Sequence, residues 1–191
     1  TRALAAIRRY LQYGQEMAFA FKNLSRAESE GFTPKKTWIA DFDADLIQPA
    51  ISDMAAEASQ RHLTIASTGD RAGLYADPDL LRVVLDNLIQ NAVKYANEGT
   101  EIQIHSRKTP TTFRVEVRNQ GVGVPTDQLS HLFTKFFRVQ DPQLISRKGT
   151  GVGLYLVKRI VELHGGYVGV EGEYGQWIRI IFEIPDGKPP S

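Results

Sequence analysis

Two asparagines and a lysine, Asn87, Asn91 and Lys94, stand four and three residues apart in one apolar-patterned stretch. On a helix those steps keep all three on one face. Asparagine is a modest helix former because its side chain competes for backbone hydrogen bonds, so two on one face call for a reason. Two readings stand open. One is a solvated polar face. The other is a Mg²⁺ ion held by a side-chain oxygen with Lys94 near phosphate, since Mg²⁺ keeps several waters and borrows phosphate oxygens. A second candidate is the run Lys148, Gly149, Thr150, Gly151, Val152, Gly153 and Leu154, which leads into Leu156, Ile160 and Leu163 at helical spacing, with Gly165 placed to end the helix. Glycines let a backbone approach a ligand closely, and a helix start offers unpaired N–H groups and partial positive charge to a phosphate. The P-loop spacing is missing, and the polar, turn-forming residues 140–147 do not supply the strand that a dinucleotide fingerprint needs. By itself the loop could equally be a plain turn. Third, Asn119 precedes a glycine turn through Gly121 and Gly123, and residues 132–138 form an aromatic cluster closed by Arg138. Phe133 and Phe137 read as core.

Positioning these groups requires a scaffold, and the hydrophobic periodicity outlines one. Residues 1–29 read as one long helix with a heptad-like seam of Ala3, Ile7, Tyr10, Gly14, Met17, Phe21 and Leu24. Such a stripe needs partner helices, and pairing with another helix or chain is the preferred reading over packing on its own domain. The glycine and proline of 31–36 mark a boundary. Strand patterns follow at 37–43, 62–66 and 74–76, with a helix over 46–60. Asp77 and Pro78 form an acidic N-cap with proline at the first helical position, opening a helix to about residue 95 whose apolar stripe is Leu81, Val84, Leu85, Leu88 and Ala92. Paired strands at 102–107 and 113–119, a short helix at 125–133 and a last hairpin at 167–171 and 177–184 complete the pattern. The order predicts an α+β fold, a two-layer sandwich of helices on a mixed sheet preceded by a long helix. The divisions are 1–30, 31–186 and a tail at 187–191.

Composition narrows the function classes. The 191 residues carry 23 Lys and Arg against 22 Asp and Glu, so net charge gives no pointer to nucleic acid or a membrane surface. Without cysteine, disulfides and thiolate chemistry are excluded. No apolar run approaches the roughly 20 residues of a membrane span. The chain begins at Thr1, which suggests a piece of something longer.

Taken in order, Asn87, Asn91 and Lys94, then Gly121 and Gly123, then Phe133, Phe137 and Arg138, then Gly149, Gly151 and Gly153 resemble the catalytic ATP-binding domain of sensor histidine kinases. That family shares a superfamily with gyrase-type topoisomerases, mismatch-repair ATPases and the large heat-shock chaperones. The resemblance covers roughly 33–186, and residues 82–95 and 149–154 are close to the kinase version. It implies a Bergerat-type ATP-binding fold. It implies Asn91 as Mg²⁺ ligand with Asn87 beside it, and Lys94, Tyr95 and Arg138 around the nucleotide. Asn119 would meet the adenine amino group, and Gly121 and Gly123 in the turn after it would also bind the nucleotide. Lys148, Gly149, Thr150, Gly151, Val152, Gly153 and Leu154 would surround the phosphates, and 139–148 would form a mobile basic lid. The implied reaction moves the γ-phosphoryl of ATP to a histidine and on to a response regulator receiver domain. The helix at 1–29 resembles the second helix of the family's dimerisation hairpin, implying a homodimer.

Two departures stand out. The family usually has aspartate where Asn119 lies; an amide still accepts through its carbonyl oxygen. His62, His105, His131 and His164 lie outside any acceptor-like context, so the phosphoacceptor is expected upstream of Thr1. The location implied is cytoplasmic, with any membrane anchor in segments upstream. One alternative is a degenerate nucleotide-binding or protein-interaction module, supported by Asn119 alone. Another, a clamp ATPase, lacks a glutamate at the start of the asparagine-bearing helix to activate water.

Overall fold

The computed structural model describes residues 14, 18, 22, 25, 27–29, 31–141 and 149–187. Residues 14, 18, 22, 25, 27 and 28 are helical. Of the expected heptad seam only Gly14 is among them, helical and exposed; the rest lies outside the described residues. Ala27 at the helix end is buried in the core of the following domain.

Five strands form the main sheet in the order β2 (Thr64–Gly69), β4 (Glu101–Lys108), β5 (Thr112–Gln120), β7 (Trp177–Pro185) and β6 (Tyr167–Glu173). β2 and β4 run parallel and the other neighbours antiparallel. A separate antiparallel pair joins β1 (Thr37–Ile39) to β3 (Leu74–Ala76). Helices α1 (Gln48–Gln60), α2 (Pro78–Tyr95) and α3 (Gly153–Leu163) make the second layer, with α2 packed between the other two. Strand alternation fixes which side chains meet them: Phe113, Val115, Val117 and Asn119 point inward along β5, while Arg114, Glu116 and Arg118 point outward. This is the expected sandwich. The predicted stripe of α2 is buried throughout, but Leu80, Val83, Ile89 and Val93 are buried as well, because α1 and α3 cover its flanks.

The first strand ends earlier than its alternation suggests. The Asp41 side chain accepts a hydrogen bond from the Ala44 amide at 3.1 Å, and the Asp45 carboxylate accepts one from the Asp41 amide at 3.1 Å. This reciprocal capping turns the chain into a π-helical segment, Asp43–Ile47, ahead of α1. The short helix expected at 125–133 is a 3₁₀ helix, Thr126–His131.

α1 ends in a Schellman turn: the Leu63 amide bonds Ala58 O at 2.9 Å and the His62 amide bonds Ser59 O at 3.0 Å. His62 sits at the left-handed position, with φ of 54° and an exposed side chain. A side chain there costs about 1 kcal/mol. His62→Gly should therefore stabilise the protein by roughly 0.5 kcal/mol after the added flexibility of the unfolded chain is counted. A denaturant midpoint that moves down on that substitution would mean the imidazole has an interaction worth more than the strain.

The N-cap of α2 is held from three sides. Asp77 Oδ1 accepts from the Leu80 amide at 3.1 Å, and its Oδ2 accepts from the Lys35 amide at 2.7 Å. The Asp77 amide donates to His164 Nε2 at 3.1 Å, while His164 Nδ1 bonds Ile160 O at 2.8 Å. His164 caps its own helix, as its position suggests, and also ties the end of α3 to the start of α2. Burial holds its pKa below the usual imidazole range, with the Ile160 carbonyl opposing.

Candidate nucleotide site

Asn87, Asn91, Lys94 and Tyr95 lie half-buried on one side of α2. The Asn87 amide Nδ2 donates back to Val83 O at 2.7 Å, which leaves Oδ1 facing α3. A Cβ placed on Gly153 would stand 2.7 Å from that Oδ1, and a Cβ on Gly149 would stand 2.8 Å from Lys94 Nζ and 3.8 Å from the Tyr95 hydroxyl. The glycine segment thus crosses directly over the amide and ammonium groups of α2. The missing side chains at Gly149 and Gly153 permit that close approach. Lys94 Nζ also lies 4.8 Å from the centroid of the Tyr95 ring.

The loop is pinned from its other side by the aromatic segment. Gly151 has φ of 69°, and its carbonyl accepts from the Phe136 amide at 2.9 Å. Thr150 Oγ1 accepts from the Val152 amide at 3.2 Å, which tightens the turn into α3. The side chains of Val152 and Leu154 turn into the core, so only their backbone can face a ligand. Leu132 is the buried member of the aromatic segment. Phe133 packs on the core and Phe137 is half-buried, 5.7 Å from His131. Arg138 is exposed at the end of that segment.

Asn119 continues the inward row of β5 as a buried polar side chain, 5% exposed. Its Nδ2 donates to Gln120 O at 3.3 Å. Gly121 forms a bridge with Ala96 just beyond α2, and a Cβ there would lie 2.4 Å from Tyr95 O and 3.1 Å from Asn119 Nδ2. Asn119, Gly121 and the α2 end therefore meet. Gly123, with φ of 64°, packs on the β6–β7 turn, where a Cβ would fall 2.6 Å from Glu173 O. Lys148 and the rest of 142–148 lie outside the described residues. The chain leading to them is anchored by the Gln140 amide on Gln128 Oε1 at 3.0 Å and by buried Asp141, which accepts from the Tyr174 hydroxyl at 2.5 Å. That bond raises the Tyr174 pKa above the ordinary phenol value.

For a cation, the donor set is informative. Among the described residues no three His, Cys, Asp or Glu side chains are grouped to hold a metal. Asp86, beside Asn87, turns toward α1, where Arg82 meets it at 2.7 Å and also contacts Asp53. Mg²⁺ keeps several waters and borrows phosphate oxygens, so a neutral side-chain oxygen can take one remaining position in its shell. The bare backbone of Gly149 and Gly153 stands directly above Lys94 and Asn87, where a Cβ would fill the space. The residues fit Mg²⁺·ATP.

Residues 76–188 match the family described as histidine kinase-, DNA gyrase B- and HSP90-like ATPases. The chain belongs to this family. Within this ATPase family its relatives include the adaptive-response sensory kinase SasA of Synechococcus elongatus, 38% identical over 67% of this chain and 33% of that protein. The sensor protein kinase WalK of Staphylococcus aureus is 33% identical over 57% of this chain and 27% of its own. Among solved structures, the nucleotide-free catalytic domain of histidine kinase ThkA superposes with a TM-score of 0.69 at 27% identity, covering 80% of this chain and 96% of that one. The chain spans a third or less of the curated relatives it matches.

Sequence reasoning passed over a contact made beside the glycine loop. The Glu28 carboxylate, at the end of the first helix, accepts from Lys135 Nζ at 3.0 and 2.9 Å and from the Tyr155 hydroxyl at 2.8 Å. These bonds lower the Glu28 pKa, with Lys135 the larger cause, and raise that of Tyr155. Lys135 and Tyr155 flank Phe136 and Leu154, so the helix end touches both sides of the glycine loop. Contacts across more than a hundred residues carry no periodic signal in the chain.

Proposed function

We propose that this chain is the ATP-binding catalytic part of a two-component sensor histidine kinase. It transfers the γ-phosphoryl of ATP to a histidine on a helical hairpin outside the described residues. From there the phosphoryl passes to a response regulator receiver domain, in the cytoplasm. The observation that carries this reading is the placement of Gly149 and Gly153 against Lys94, Tyr95 and Asn87. Family membership and the sensor-kinase relatives support it, as does a structure of histidine kinase ThkA in complex with the response regulator TrrA. The helix at 1–29 pairs two copies in this reading.

Asn91 would hold Mg²⁺ with Asn87 beside it, and the ion when bound offsets charge on the phosphate oxygens. Lys94 and Arg138 orient the phosphates, as do backbone groups of 149–154, and the N-terminal end of α3 favours their negative charge. Phosphoryl transfer requires chiefly such positioning and charge stabilisation. The test is γ-labelled ATP given to this chain with and without a hairpin carrying the histidine. Acid-labile, base-stable label on the hairpin is expected, with none on this chain. Asn91→Ala should abolish the Mg²⁺ dependence of binding at an unchanged melting temperature. Label on this chain alone, or a hairpin left unlabelled, overturns the assignment.

Asn119 would accept from the adenine amino group through Oδ1, since its Nδ2 is held by the Gln120 carbonyl. Asn119→Asp adds charge to that bond and removes the amide's ability to flip and donate to guanine. ATP affinity should rise about fivefold to tenfold, with a larger ATP-over-GTP ratio. The empty mutant should lose about 1–2 kcal/mol, because a buried carboxylate oxygen then faces the Gln120 carbonyl. Calorimetric titration of both nucleotides decides it. Unchanged affinity and ratio would mean Asn119 does not face the base.

A further inference from the structure

The last turn of α2 carries Lys94 and Tyr95, yet a helix end is where the backbone is held least, because its final carbonyls have no partner within the helix. In this chain the partner comes from a different element. Arg61, the residue on which α1 ends, sends its guanidinium across to α2. One terminal nitrogen donates to Val93 O and the other to Ala96 O, the latter at 2.7 Å. The Arg61 carbonyl accepts from the Gly99 amide at 3.3 Å, so the same residue also holds the loop that leaves α2. Its aim is set by the Schellman turn: with His62 left-handed, the chain reverses at Arg61 and Leu63 is buried beneath it.

What this grip encloses is the functional turn. Lys94 and Tyr95 lie between the two clamped carbonyls, and Tyr95 O is the atom that a Cβ on Gly121 would strike. The neighbouring Asn97 amide bonds Gln120 O at 2.9 Å, fastening the same turn to the end of β5 beside Asn119. A guanidinium spans two carbonyls with two parallel donors, which an ammonium on a flexible stem cannot do. A positive charge also suits the negative end of the helix dipole. We propose that Arg61 is a positioning residue for nucleotide binding: by clamping Val93 O and Ala96 O it sets where Lys94 and Tyr95 stand under the glycine loop. It acts through those side chains and through the Ala96–Gly121 bridge, without touching the ligand. This rests on the reading of α2 and the glycine loop as the ATP site.

The experiment titrates Mg²⁺·ATP into the whole chain at a temperature well below melting. Four variants accompany the wild type: Arg61→Ala, Arg61→Lys, Lys94→Ala and, as a stability control at the far edge of the sheet, Val168→Ala. Hydrogen exchange at the Ala96 and Asn97 amides is followed in parallel. Arg61→Ala should lose about tenfold in affinity and Arg61→Lys less, with exchange at those two amides speeding in the same order. Val168→Ala should lower the melting temperature and leave affinity alone. Should Arg61→Ala fail to fold, the graded loss in Arg61→Lys carries the test. Wild-type affinity in both Arg61 variants, with Lys94→Ala impaired, overturns the role of Arg61 while sparing the site. Equal affinity loss in Val168→Ala reduces the effect to general destabilisation and also overturns it. Wild-type affinity in Lys94→Ala removes the site reading itself, and the role of Arg61 with it.

Discussion

Gly121→Ala should cost about 100-fold in ATP affinity and roughly 1–3 kcal/mol of stability. The added methyl would lie 2.4 Å from Tyr95 O and 3.1 Å from Asn119 Nδ2. The first neighbour is backbone and cannot rotate away. Either the end of α2 or the end of β5 must move, by about an ångström, to reach ordinary contact distance. Both ends are fastened, one by the Arg61 clamp and the other by the Gly121 amide on Gln176 O at 3.0 Å. The displacement therefore falls on the segment that carries Tyr95 and Asn119. The left-handed Gly31 offers a comparison, since nothing lies within 4 Å of a Cβ placed there. Gly31→Ala strains the turn before β1 and should lower stability without changing affinity. Titration and thermal melts of the two variants separate site distortion from loss of fold. A Gly121→Ala protein that binds ATP like wild type would show that the α2–β5 junction does not line the nucleotide site.

His164→Ala should lower stability by about 2–4 kcal/mol, because it leaves the buried Asp77 amide without its acceptor, leaves the Ile160 carbonyl only the residue-164 amide at 3.2 Å, and opens a cavity between α2 and α3. The same imidazole makes stability depend on pH. As Nδ1 donates and Nε2 accepts, the bonded form is neutral. Protonation would set an Nε2–H against the Asp77 N–H. Burial depresses the folded-state pKa, Lys36 pushes it the same way, and the Ile160 carbonyl and Asp77 oppose. The unfolded chain then binds a proton near pH 6.5 while the folded one does not. The contribution is thus fully present above about pH 6.5 and is lost as pH falls through the depressed value. Lys135 lowers the Glu28 pKa, and at Glu116 burial pushes upward but Arg114 and Arg179 together bring the net shift down, so both lose their stabilising partnerships only in more acid solution. Melting temperatures followed downward from neutral pH should fall in wild type and stay flatter in His164→Gln. Parallel curves for the two proteins would assign the acid transition to other groups.

Much of this protein is local, and what is local was legible. The Asp77–Pro78 cap and the stripe of Leu81, Val84, Leu85, Leu88 and Ala92 define α2 without reference to the rest of the chain. The same periodicity places Asn87, Asn91 and Lys94 on one face. Alternation defines β4, β5, β6 and β7, and the glycine run before α3 marks a close backbone approach. Sequence alone thus determined the sandwich and the candidate groups. It did not determine what each glycine approaches. Gly149 and Gly153 lie over Lys94 and Asn87, whereas Gly123, with the same residue type and turn context, packs on the β6–β7 turn. Nor could periodicity show that β1 would stop at Ile39, because the Asp41 and Asp45 side chains outcompete the strand ladder. Arg61, His164 and Glu28 act across 32 to more than a hundred residues, through hydrogen bonds to backbone or to single side chains. Such bonds leave no spacing in the sequence. They exist only once packing α1, α2 and α3 on the sheet has brought one helix end against another.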